Sequence, residues 1–126
     1  MDIKDIISNG DDRLRIVQEL VPGKEITLAH VIASPDPILY QKLGLNPELD
    51  FSGAAIGILT VTPAETAIIA ADISTKAANV DLSFVDRFSG TLITTGMISD
   101  VESGLKAVTE FCGDKLGFKV CNISKT

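Results

Sequence analysis

Residues 54–96, AAIGILTVTPAETAIIAADISTKAANVDLSFVDRFSGTLITTG, constrain the fold more than any other stretch of the chain. The apolar run at 55–61 has the length and β-branched content of a strand. It meets Thr62-Pro63-Ala64-Glu65, which reads as a helix start. Thr62 is the expected N-cap, Pro63 the first helical residue, and Glu65 the far side of a capping box. The helix that follows is mostly Ala and Ile. Its polar residues Glu65, Asp72 and Lys76 share one face, and Asp72 and Lys76 are an i,i+4 pair in the better orientation. Ala64, Ala67, Ala70, Ala71, Ala77 and Ala78 let it lie close to its neighbours. Two strands complete the unit. Residues 80–88 put Leu82 and Phe84 on one face and Ser83 and Arg87 on the other. Residues 91–95 run back after the tight turn Phe88-Ser89-Gly90.

The flanks extend this pattern. Residues 1–13 have little periodicity and read as a mobile leader. Residues 15–21, RIVQELV, form a short strand with Gln18 and Glu19 among apolar neighbours. An isolated hairpin is marginal in water, so this strand needs partners from the domain or from other subunits. Pro22-Gly23 suits a type II turn. Residues 24–33, KEITLAHVIA, are a second strand. Simple alternation puts Ile26, Leu28, His30 and Ile32 on one face and Thr27, Ala29, Val31 and Ala33 on the other, both largely apolar. Ser34-Pro35-Asp36-Pro37 opens a short helix over 38–43, ended by Gly44, and 46–52 is a connecting loop. Ser99-Asp100-Val101-Glu102 reads as a second capping box. Its helix runs to Leu116 and stops at Gly117, with Val101, Leu105, Val108, Cys112 and Leu116 buried and Glu102, Lys106, Glu110 and Asp114 wet. Residues 118–123 read as a last short strand. The order is hairpin, short helix, then β-α-β-β-α-β. It predicts an α/β (α+β) domain over 14–126, with a mixed, mostly antiparallel sheet and helices packed on one side.

Several function classes fall away. The net charge is −6 with no Lys/Arg block, which excludes a nucleic-acid partner. No apolar run approaches the roughly 18 residues of a membrane span, and MDIKDIISNGDDR lacks the parts of a signal peptide, so a cytoplasmic chain is expected. Cys112 and Cys121 are not in a CxxC and the one histidine is distant in sequence, so no metal is expected. His30 has no serine or cysteine nucleophile with an activating pattern and reads as a satisfied, mostly buried residue. Asp36, Asp81 and Asp86 are scattered, and the glycines make no phosphate-binding fingerprint. No catalytic residue and no cofactor are expected. What remains is surplus packing surface. Apolar residues make up 45% of the chain and aromatics only 5%, a balance that suits an obligate oligomer.

GILTVTPAETAIIAADISTKAANVDLSFVDRFSG resembles the shell-protein domain of bacterial microcompartments (BMC). VPGKEITLAHVIASP, standing before it, resembles the circularly permuted branch of that family, the EutS/PduU type. The resemblance covers about residues 14–126. It implies a structural, non-enzymatic protein whose cyclic hexamers tile a polyhedral shell within the cytoplasm, enclosing ethanolamine, propanediol, choline or another pathway. It implies other shell proteins, and encapsulated enzymes, as partners. The strand Arg15, Ile16, Val17, Gln18, Glu19, Leu20 and Val21 would join five copies of itself in a small β-barrel that obstructs the pore over the six-fold axis. By position, Lys76 matches the lysine at the hexamer edge, Asn79 its companion, and Phe88, Ser89 and Gly90 the loop near the axis. One departure stands out. Many unpermuted tiles carry an Arg that seats the edge lysine where this chain has ASPDP. The residues alone also fit a small-molecule-binding or regulatory α/β oligomer, a reading weakened by the lack of a Gly-rich loop or Arg cluster.

Overall fold

The structure is a computed structural model that describes residues 23–44 and 54–126. The leader 1–13, the strand expected at 15–21 and the loop at 46–52 lie outside the described residues. Strand β1 (Glu25–Ile32) is followed by the short helix α1 (Pro37–Lys42). Strand β2 (Ala55–Thr62) leads into helix α2 (Thr66–Ala77). Strands β3 (Asp81–Asp86) and β4 (Thr91–Gly96) form a hairpin, helix α3 (Ile98–Leu116) follows, and β5 (Ser124–Lys125) ends the chain.

The strands form one sheet in the order β3-β4-β2-β1-β5. Every pairing is antiparallel except β1 with β5. Helices α2 and α3 lie together on one face. There Ala67, Ala70 and Ala71 of α2 and Val101, Leu105, Val108 and Cys112 of α3 bury against Ala29, Val31, Ala55, Leu59, Val61 and Leu92 of the sheet. The alanines expected to bring α2 close to its neighbours do so at these three positions. The opposite face carries a row in register across four strands: His30, Ile58, Ile93 and Phe84.

Four local expectations are corrected. Strand β1 does not alternate evenly, because its register with β2 shifts between Ile26 and Leu28. A bulge takes up one extra residue and flips the alternation. Ile26 therefore joins Ala29 and Val31 in the core, and Leu28 is left exposed on the other face. Thr62 does not cap α2. It is still in the ladder, opposite Glu25. The entry turn is instead closed by backbone bonds, with Thr66 N–H donating to Pro63 O at 3.0 Å and Ala67 N–H to Ala64 O at 3.0 Å. Ser99 does not cap α3 either, since the helix begins at Ile98 behind Met97 as strand β4 ends. Glu102 is engaged elsewhere, taking the ammonium of Lys125 at 3.2 Å. The last strand is two residues long. Residues 118–123 pair with the sheet edge through the Lys119 bridge to Glu25, beside the bulge in β1, while Phe118, Cys121 and Ile123 pack against the core. Helix α3 does stop as expected at Gly117. This residue has φ 72°, and Phe118 N–H closes onto Cys112 O at 2.9 Å.

Candidate functional site

The turn at Phe88, Ser89 and Gly90 is built by its backbone. Gly90 N–H donates to Asp86 O at 2.9 Å, and Val61 N–H donates to Gly90 O at 2.9 Å, so the turn is pinned to the end of β2. Gly90 has φ +76°, and a Cβ there would lie 2.2 Å from Val61 O, so no other residue fits. Asp86 organises the other side. Its carboxylate accepts the Phe88 N–H at 2.9 Å. That bond and those from Ser89 hold its pKa below the usual carboxylate range. Phe88 stands out from this rigid base with 81% of its surface exposed, and the Arg87 guanidinium covers its ring at 4.9 Å from the centroid.

Lys76 and Asn79 sit at the other end of α2. A Cβ on Gly90 would also lie 3.1 Å from Ala64 Cα, so the turn abuts the entrance to α2. Lys76 is near that helix's last residue, about 15 Å away along the axis at 1.5 Å per residue. Lys76 Nζ pairs with Asp72 Oδ2 at 2.9 Å, and both side chains are exposed. Asn79 is exposed just past the helix end. The turn and the Lys76 end are thus brought to opposite extremities of one rigid element.

His30 is half-buried, and both of its ring nitrogens are engaged. Nδ1 meets Ser124 Oγ at 2.5 Å and Nε2 meets Thr126 Oγ1 at 2.9 Å. The Ser124 hydroxyl also lies 3.3 Å from Ala29 O, within reach to donate to it. These bonds tie the C-terminal segment to β1 as a structural clasp. Burial raises the Cys112 thiol pKa and keeps it protonated. Among the described residues no group of three or more His, Cys, Asp or Glu side chains could hold a metal ion, and no helix is long and apolar enough to cross a membrane. Two shallow cavities of about 290 and 430 Å³ flank the outer side of α3 and share Lys106 and Ile123. Their charged groups are exposed side chains of α3 and Lys125; Lys106 pairs with Glu110 and Lys125 with Glu102, while Asp114 also lines the larger cavity.

Two apolar surfaces escaped the reading of the residues. Among the described strands β3 is an edge of the sheet, with Leu82, Phe84 and Val85 exposed along it. Helix α1 exposes Ile38 and Leu43 and buries no residue. The signal for both was the surplus of aliphatic residues, which gave an amount of surface without a place.

The BMC domain family matches residues 55–123. Over 112 residues the chain is 49% identical to the bacterial microcompartment shell protein PduU of Salmonella typhimurium strain LT2, covering 89% of this chain and 93% of that protein. It is 50% identical to the shell protein CutR of Streptococcus intermedius, covering 89% and 92% of the two chains. It is 45% identical to the shell protein EutS of Escherichia coli K12, covering 91% and 99%. Among solved structures, a flat hexamer of CutR superposes with a TM-score of 0.76 at 45% identity, covering 99% of this chain and 100% of that one. A CutR screw of 41.9 Å pitch superposes with a TM-score of 0.74 at 48% identity, covering 83% and 100%.

Proposed function

The chain belongs to the BMC-domain family of bacterial microcompartment shell proteins, and from that premise we propose that six copies close into a ring and the rings meet edge to edge in the shell. The observation that carries this is the likeness to the flat CutR hexamer over 99% of the chain. The role is structural. Its relatives are named as shell proteins, and His30 and the cavities beside α3 offer no assembled chemistry.

The geometry of α2 supports a division of labour within the tile. The Phe88-Ser89-Gly90 turn faces the six-fold axis, and Lys76 with Asn79 faces the neighbouring tile. The separation of the two along one helix suits a hub and a rim. The strand at residues 15–21 crowns the axis as a barrel with its five counterparts, and enzymes enclosed by the shell meet its inner surface.

Light scattering on the purified chain tests the ring. A mass six times that of the 13.4 kDa chain is expected at micromolar concentration. A monomer under those conditions overturns the proposal.

A further inference from the structure

Helix α1 is formed by local signals, and no other described element packs against it. Asp36 caps it, its carboxylate accepting Ile38 N–H at 3.0 Å, and Pro37 presets the first turn. Leu43 N–H closes the other end onto Leu39 O at 2.8 Å. These bonds start a helix, but six residues are far short of the roughly 12–15 at which a lone helix becomes even marginal in water. Tertiary contact must supply the rest. Among the described residues no other element packs against α1, and one bond that joins it to the body is from the Tyr40 hydroxyl, which donates to Ala54 O at 2.6 Å. Ile38 is 48% exposed and Leu43 44% exposed.

Strand β3 poses the complementary problem. Among the described strands it is an edge of the sheet, and Leu82, Phe84 and Val85 stand exposed on it. The two surfaces lie on different sides of the subunit. Helix α1 follows β1 and reaches back to the start of β2, whereas β3 lies beyond β2 with β4 between them. A cyclic ring is closed by a heterologous contact, in which one patch of each subunit meets a different patch of the next. Two unlike apolar patches on separate sides are what such a contact requires. The flat CutR hexamer aligns with 99% of this chain, so the segment holding α1 has a counterpart within a ring.

We propose that α1 of one copy seats Ile38 and Leu43 against the β3 edge of the next copy, around Phe84. The inference rests on the ring reading above and names the side chains that close it. The occupant is a second copy of this chain. Cover from residues 1–22 or 45–53 of the same subunit is the competing outcome.

The test uses the full chain, the double variant Ile38→Asp/Leu43→Asp and the variant Phe84→Asp. Each variant is expected to fall to monomer at a concentration at least tenfold above that at which the unaltered chain is still hexameric, with its far-UV circular dichroism retained. The two variants are then mixed. The α1 variant keeps an intact β3, and the β3 variant keeps an intact α1, so one sound contact forms between them. Native mass spectrometry should find a heterodimer that neither variant gives alone. Variants that remain hexameric at the original concentration, or a mixture without heterodimer, overturn the inference while leaving the ring in place. A variant that unfolds as a monomer puts the apolar face of α1 inside its own subunit and also overturns it. An unaltered chain that is not hexameric removes the ring itself.

Discussion

Replacing Gly57 with alanine tests the packing of α3 on the sheet. Gly57 is in β2, facing the helix layer. A Cβ there would lie 2.7 Å from Thr94 Oγ1, 2.7 Å from Val101 Cγ1 and 3.5 Å from Leu105 Cδ1. Neither close neighbour can step aside cheaply. Val101 is wholly buried, and as a β-branched residue in a helix it is confined to one rotamer, while Thr94 is pinned within the sheet. Overpacking of this kind costs about 1–3 kcal/mol. For a domain of this size each kcal/mol lowers the melting temperature by about 4 °C, so a fall of about 4–12 °C is expected. The control is Gly104→Ala on the same helix. Its Cβ would rest 3.7 Å from Ser74 Cβ, an ordinary contact, and alanine is favoured over glycine in a helix interior by about 0.8–1 kcal/mol. Thermal unfolding at one fixed protein concentration compares the two, because melting of an assembly depends on concentration. A Gly57→Ala variant as stable as the parent refutes the placement of α3 over β2, and a Gly104→Ala variant less stable than the parent refutes the spacing of α3 from α2.

Further predictions concern assembly and pH. Lys76→Ala should leave the ring mass unchanged by light scattering and slow the growth of sheets seen by electron microscopy. The pair it removes with Asp72 is exposed and contributes only about 0.3–0.5 kcal/mol to the subunit itself. Deleting residues 1–21 should leave the ring intact and remove density over its axis in averaged images; loss of folding would place that strand in the core. Asp86 has a folded pKa held below its unfolded value, so its contribution to stability is present above the ordinary carboxylate range and lost as pH falls through the folded value. Asp86→Asn should therefore lower stability in the neutral region and match the parent at low pH, which flattens the acid limb of a stability–pH profile.

The order of elements was legible because hydrophobic period and Pro/Gly punctuation agree along most of the chain. The α2 helix, the turn at Gly90 and the stop at Gly117 each follow from residues within a few positions. What was not legible depends on partners far away in sequence. The bulge in β1 arises from register with β2, so alternation within KEITLAHVIA could not place Ile26 in the core. Thr62 has the chemistry of a cap, but Glu25 across the ladder keeps it in the strand. Glu102 suits a capping box, but it is drawn to Lys125. The Lys76–Asp72 pair was legible since it is local. In the assembly proposed above, Lys76 and Asn79 meet residues of another copy, and no pattern within one chain contains those.

The ring contact and the lateral contact proposed for this tile draw on different chemistry, and this bears on the forms the assembly takes. Lys76, Asp72 and Asn79 are exposed and polar, so each lateral contact is weak, is screened within about 8–10 Å at ordinary salt, and holds a sheet only through repetition. Ile38, Leu43, Leu82 and Phe84 offer burial instead, which is insensitive to screening and has no fixed direction. Rings should therefore outlast dilution and salt that dissolve sheets. The lack of direction has a second consequence. A heterologous contact closes into a ring if each step turns the chain by one sixth of a circle without rise, and climbs into a helix once a rise is added. A short helix resting on a flat strand edge, with no ion pair or bidentate bond to set the angle, tolerates that small change. CutR, with nearly half its residues identical to this chain's, has been solved both as a flat hexamer and as a screw. The apolar contact proposed for this chain, with slack in its rotation, would leave both forms open to it, and a directional polar contact in its place would hold the chain to one.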